Sequence, residues 1–397
     1  MDTVVIIIFC VLLLIAYLFD LTSSNTKVPS VILLLILGWL VRQSTIFFGI
    51  QLPDFSFILP MLGMVGLILI VLEGSFELEY NKSKIGLISK SFFGAIISVL
   101  ITAFVFAFLF MYFGQFSLKD SLTNAIPFCI ISSAIAIPSV RNLAPWNKEF
   151  IIYESSISDI FGVLFFTFIS LNTVFNFNSF LYFGYEIVVM TIIAFIASIG
   201  LSFLLSKINH PIKFAPIIIL IILIYSISEI YHLPALIFIL IFGLFIGHID
   251  TLKRFKWIEV FKPDLLIKEV RRLEELVIEA AFLVRALFFI LFGYLIETSE
   301  ILNVDTIYLA VLIVFVIISF RAIQLLISKL EITPLLFIAP RGLITILLFI
   351  TISPESQIFL VNKSLIIQVI VISALVMMFG LMFSKKKEKI IFPLPEK

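Results

Sequence analysis

Tyr153-Glu154-Ser155-Ser156-Ile157-Ser158-Asp159-Ile160-Phe161-Gly162 sets two carboxylates and three serine hydroxyls inside an apolar run that begins near Phe150 and ends near Leu171. A carboxylate at bilayer depth costs at least about 2.5–3.5 kcal/mol on insertion scales, so one retained there answers to function by default. On a helix, Ser155 and Asp159 stand i,i+4 and share a face, and Glu154 and Ser158 share the adjacent face. At 3.6 residues per turn the two acids point roughly 140° apart. Two acids in two directions imply two separate jobs.

The run is one of many. The 397 residues are 62% hydrophobic and 13% charged, a balance that excludes a soluble domain of this length. Repeated runs of about 18 or more apolar residues read as transmembrane helices. Thirteen such segments are expected, at 3–20, 28–43, 57–77, 85–113, 121–143, 150–174, 181–206, 214–231, 233–249, 274–297, 304–328, 332–353 and 361–383. The first has no basic stretch before it and no small-residue cleavage site after it, and reads as a retained helix rather than a signal peptide. Cys10 and Cys129 both fall in apolar runs and offer neither a disulfide framework nor metal spacing. A net charge of +1 carries no nucleic-acid signal, and no glycine-rich phosphate loop or nucleotide-binding domain is present. No cofactor is expected.

Basic residues set the orientation. Alternate loops, counted from the one after the first helix, hold 21 of the 27 Lys and Arg residues, among them the cluster Lys253, Arg254, Lys256, Lys262, Lys268, Arg271 and Arg272. The bias puts the C-terminus in the cytoplasm and, with thirteen spans, the N-terminus outside. The loop Asp250–Leu273 interleaves Phe255, Trp257, Ile258, Phe261, Leu265 and Leu266 with these charges. It reads either as an amphipathic helix on the inner leaflet or as a basic linker between two halves. Residues 384–397 form a short polybasic tail.

Two spans are broken. The fifth carries Pro127 and Pro138 with Ser132, Ser133 and Ser139 around them, and the twelfth carries Pro334, Pro340, Arg341 and Gly342. These breaks are seven segments apart, and an odd offset inverts topology. One transmembrane domain is therefore expected, built from a first repeat over 3–174, a linker helix over 181–206 and a second, inverted repeat over 214–383. Secondary transporters place their sites where such broken helices meet near the midplane. Unwound backbone at Ser132 and Ser133 would offer carbonyls and hydroxyls to an ion; otherwise those hydroxyls bond back to the preceding turn.

Asp159 lies near mid-bilayer and reads as a site that holds either a proton or a cation, with Ser155 and Ser158 as hard oxygen ligands. Glu154 needs a buried partner, and Arg285, Arg321 and Arg341 are the candidates within spans. Glu73, in Leu72-Glu73-Gly74, either reaches the site or is a solvated acid at the end of the third span. Glu186, Glu229, His232 and Glu279 read as interfacial or structural.

With these residues in place, the chain resembles the monovalent cation:proton antiporters of the sodium/proton exchanger branch. Glu154-Ser155-Ser156-Ile157-Ser158-Asp159 is similar to that family's Glu-Ser-Leu-x-Asn-Asp signature. Ile318-Ser319-Phe320-Arg321-Ala322 resembles its basic position on the eleventh helix, Ala339-Pro340-Arg341-Gly342-Leu343 its crossing segment on the twelfth, and Leu72-Glu73-Gly74 an acidic motif on the third. The resemblance implies an all-α polytopic membrane protein of the sodium/proton antiporter fold, with inverted six-helix repeats and crossed discontinuous helices 5 and 12. It implies Asp159 and Ser155 as ligands of a transported Na+ or K+, Glu154 bridged to Arg321, Glu73 at the site or its access path, and a homodimer. The family's Asn is Ser158 here, and Ser132-Ser133-Ala134 stands where its Thr-Asp pair would be.

The expected function is electroneutral exchange of one Na+ or K+ for one H+ across the plasma membrane, by competition at Asp159 and alternating access. The alternative is a proton-coupled transporter of another small solute on the same fold. An intramembrane aspartyl protease would need a second acid facing Asp159, and a sensor would need an output element that nothing in the chain demands. No enzyme activity is expected.

Overall fold

The computed structural model describes residues 2–26, 28–50, 53–78, 84–172, 175–208, 210, 212–252 and 263–384. Among them every regular element is helical. The first half holds α1 (Asp2–Thr26), α2 (Ser30–Phe47), α3 (Ile58–Glu77), α4 (Ile85–Gly114), α5 (Leu118–Ala125), α6 (Ser133–Ser139), α7 (Pro145–Leu171) and α8 (Phe177–Lys207). The second holds α9 (Phe214–Ile230), α10 (Leu236–Gly247), α11 (Ile249–Leu252), α12 (Pro263–Leu295), α13 (Thr298–Ile301), α14 (Val304–Ile327), α15 (Leu343–Thr351) and α16 (Lys363–Phe383). Ten helical segments are long and apolar enough to cross a membrane, α5 and α6 counting together as one. The shorter apolar α9 and α10, and the broken stretch ending in α15, account for the rest of the thirteen segments read from the sequence.

The broken pass Leu118–Ser139 is the most deeply enclosed, its apolar window wholly buried. Ser117 caps α5 by accepting from the Asp120 N–H, and the helix runs to a 3-10 turn at Ile126–Phe128 where Pro127 cannot continue the ladder. Cys129 closes that turn, residues 130–132 belong to no regular element, and α6 restarts at Ser133. The second break has the same form: a 3-10 turn at Leu335–Phe337, irregular residues through Gly342, then α15. By contrast α1 and α8 expose Leu14, Leu18, Val188, Ile192 and Ile196, the apolar side chains of a lipid-facing wall.

Close helix crossings rest on small residues, as expected where lipid is as apolar as leucine. Gly38 of α2 and Gly293 of α12 face each other's backbones; a Cβ at Gly38 would meet the Tyr294 nitrogen at 2.7 Å.

One boundary differs from the sequence reading. Residues Pro263–Leu273, read as linker or as a separate amphipathic helix, are the first turns of α12, and Glu269 there pairs with Lys213 at 2.5 Å and with Arg272 at 3.8 Å. A hydropathy window measures depth in the bilayer, and this helix begins beyond it. Residues 253–262, with Phe255, Trp257, Ile258 and Phe261, and the tail 385–397 lie outside the described residues.

Candidate functional site

α7 starts on Pro145 at its first turn, where the missing N–H costs nothing. That start carries Glu154 and Asp159 into the protein's interior, 0% and 1% exposed. Asp159 meets the N-terminus of α6: Ser133 Oγ donates to Asp159 Oδ2, and the Ser133 backbone N–H also faces the carboxylate. Asp159 Oδ1 has no hydrogen-bond partner among the described residues. Buried polar atoms are nearly always satisfied in a finished fold. Glu154 Oε2 is likewise buried without a partner among the described residues, but its carboxylate is already engaged through Oε1, whereas Asp159 Oδ1 has the chemistry to accept a proton or a cation.

Ser155 shares the Asp159 face, and its hydroxyl reaches back to the Ile152 carbonyl at 3.4 Å, a long and weak bond. Ser158 is engaged differently: its Oγ accepts the Ile131 N–H at 3.0 Å and so satisfies an amide that the break leaves out of any helix. Ser156, which the sequence did not single out, is buried, its hydroxyl without a partner among the described residues. A Cβ at Gly74 would sit 3.0 Å from it, so this glycine lets α3 close onto α7 beside the half-buried Glu73.

The two breaks are stitched to each other. The Ser132 N–H donates to the Pro340 carbonyl at 2.9 Å. Arg341 spreads over the carbonyls that the breaks orphan: Nε to Phe128 O at 2.5 Å, Nη2 to Cys129 O at 3.4 Å and Nη1 to Ala339 O at 2.8 Å. Its own N–H donates to Ser373 Oγ of α16 at 3.1 Å. In a bilayer each unmet backbone group costs several kcal/mol, and here one guanidinium serves three. Pro138 lies within α6 and Pro340 supplies the accepting carbonyl. Gly342 leaves room at the crossing: a Cβ there would lie 2.7 Å from Ser132 Oγ and 2.8 Å from Ile135 Cδ1.

Glu154 faces away from this seam. Its Oε1 accepts from Arg321 Nη1 at 2.6 Å and from the Gln324 side-chain amide, both on α14. Arg321 Nε also donates to Leu335 O at 3.0 Å, in the turn that opens the second break. Of the three arginines weighed from sequence, Arg321 is thus the one at Glu154, Arg341 is occupied at the seam, and Arg285, buried on α12, makes no ion pair among the described residues. Gln324 escaped the sequence reading; its signal is the i,i+3 spacing from Arg321.

The family model described as sodium/hydrogen exchanger, transmembrane, matches residues 10–385. Two structures of the sodium proton antiporter MjNhaP1 from Methanocaldococcus jannaschii share the fold. One, at pH 8, has a TM-score of 0.62 at 18% identity and covers 96% of each chain. The other, an electron-microscopy map, has a TM-score of 0.64 at 19% identity and covers 96% of this chain and 94% of that one. Among curated proteins, no sequence matches the chain.

Proposed function

Because the chain belongs to the sodium/hydrogen exchanger family, a family of transporters rather than enzymes, we propose that it exchanges one Na+ or K+ for one H+ by competition at Asp159. The observation that carries this reading is the unpartnered Asp159 Oδ1, buried beside the junction of the two breaks. A cation there would take that oxygen, with Ser155, Ser133 and the neighbourhood of Ser132 and Ser158 as further oxygen donors, and Glu73 on its access path.

Burial explains why exchange is coupled. An unpaired carboxylate is costly to carry through an apolar barrier. With a proton or a monovalent cation bound, the site is neutral and can pass; empty and ionised, it cannot. Each passage then returns the carrier with the other ion. One titrating acid gives one charge each way, so the cycle is electroneutral. Glu154 is engaged by Arg321 and Gln324 of α14 and takes no part in the count.

In this reading residues 3–174 and 214–383 are inverted repeats joined by a linker helix over 181–206, and their crossing segments rock as part of one body against the rest. The chain acts as a homodimer in the plasma membrane, N-terminus outside and C-terminus cytoplasmic. Proteoliposomes with an imposed pH gradient test it. Adding sodium or potassium should release a proton flux that Asp159→Asn abolishes and that an imposed membrane voltage leaves unchanged. Undiminished flux in Asp159→Asn would remove Asp159 from the mechanism, and a voltage-driven flux would overturn the stoichiometry.

A further inference from the structure

Between α4 and α14 a groove of about 410 Å³ opens on the outer wall of the helix bundle. Its sides are apolar: Phe93, Ile97 and Ile101 from α4, and Phe320, Ile323 and Ile327 from α14. All but Phe320 are exposed, in a membrane protein the exposure of a lipid-facing wall. One end is polar, ringed by Ser89, Lys90, Ser328 and Lys329. Lys329 is held there by the left-handed turn that ends α14, at a φ of 51°, and its N–H donates to Leu326 O at 3.1 Å.

The two lysines have no ion-pair partner among the described residues. Of the acids at that end, Glu149 pairs with Lys84 at 3.0 Å, and Glu331 accepts weakly from the Asn147 amide at 3.4 Å. The groove thus joins an acyl-shaped apolar trough to two lysines and two hydroxyls. It does so at the membrane face where the basic loops gather, which the positive-inside bias makes cytoplasmic. Basic pockets between transmembrane helices on that side suit lipid phosphates.

We propose that this groove binds an anionic phospholipid of the cytoplasmic leaflet, with its phosphate between Lys90 and Lys329 and an acyl chain along α4 and α14. The floor of the groove is Gln324, the residue whose amide holds Glu154. Gly94 keeps the floor low, since a Cβ there would stand 2.6 Å from Gln324 Nε2. A lipid in the groove therefore packs on the outer side of the buried Glu154–Arg321 pair and presses Gln324 onto it.

The test is native mass spectrometry of the full chain, released from detergent in an equimolar mixture of phosphatidylglycerol and phosphatidylcholine. The wild type should retain phosphatidylglycerol about thirtyfold over phosphatidylcholine, the scale of two interfacial lysines. Lys90→Gln with Lys329→Gln should remove that preference, and Ile97→Trp, which fills the trough without changing charge, should lower lipid retention. Lys207→Gln, elsewhere on the same membrane face, should leave the preference intact. Equal retention of the two lipids by the wild type, or an unchanged preference in the double lysine variant, would overturn the proposal. So would displacement of the lipid by millimolar inorganic phosphate, which would mark a site for the free anion. Each variant is first checked for monodisperse elution.

Discussion

The Glu154–Arg321 pair can be taken apart in steps whose costs differ. Arg321 and Glu154 are 2% and 0% exposed, so neither can fall back on water. Arg321→Met leaves the Glu154 carboxylate with only the Gln324 amide and uncaps the Leu335 carbonyl. Glu154→Leu leaves a guanidinium with that carbonyl and a 3.5 Å contact to Gln324 Oε1. Stranding one member of a buried pair costs about 3–5 kcal/mol. In the double variant Glu154→Leu/Arg321→Met both charges are gone and apolar side chains fill the space. What remains is the uncapped Leu335 carbonyl, worth about 1–3 kcal/mol. At about 2 °C per kcal/mol, the low end for larger chains, each single variant should melt roughly 6–10 °C below wild type and the double variant only roughly 2–6 °C below. The assay is thermal melting in detergent followed by size exclusion, with sodium half-saturation of proton flux measured alongside. Half-saturation should hold, because the pair faces away from Asp159. A double variant no more stable than the worse single one would refute the reasoning.

Four further outcomes are expected. Ser158→Ala removes the acceptor of the Ile131 N–H and should cost about 1–3 kcal/mol in stability, read as an earlier melt; an unchanged melt would mean that water replaces the hydroxyl. Gly342→Ala drives a methyl into Ser132 and Ile135 and should cost about 1–3 kcal/mol by overpacking, partly relieved when Ser132→Ala is added; a wild-type melt and flux in the single variant would show the crossing to be loose. Arg341→Gln uncaps Phe128 O and Cys129 O, so amide hydrogen exchange should quicken across residues 129–133 while α8 keeps its protection. If protons and sodium compete at Asp159, the apparent sodium Kd should rise about tenfold for each pH unit lost once the proton occupies the carboxyl, by mass action. Calorimetry at several pH values reads this, and a Kd flat with pH would sink the competition.

The fold was legible wherever the sequence departs from plain apolar helix. Prolines at 127, 334 and 340 flank the two breaks, while Pro138, also read as a break, lies inside α6; carboxylates at 154 and 159 stand out because hydrocarbon penalises them. The start of α12 was not legible, because its first turns are charged and lie beyond the bilayer, where hydropathy says nothing about helicity. The partners at the site were hidden for a different reason. Arg341 bonds to Phe128, Cys129 and Ala339 through their carbonyls, and Arg321 to Leu335 likewise. Every residue has a carbonyl, so no pattern of side chains announces which ones will be orphaned. Ser158 carries the same lesson, since its hydroxyl goes to a backbone amide that becomes free only because the fifth pass unwinds.

The seam held by Arg341 also bears on how such a protein can change over generations. Its stitches are the Ser132–Pro340 backbone bond and one guanidinium spread over carbonyls. Neither draws on the Ser133 or Ser155 side chains. In the proposed site those two serines can therefore be exchanged without undoing these stitches, whereas Ser158, which holds the Ile131 N–H, is tied to the scaffold. On that reading drift at 133 and 155 is separated from loss of the crossing, so ion preference can wander among descendants while the architecture persists.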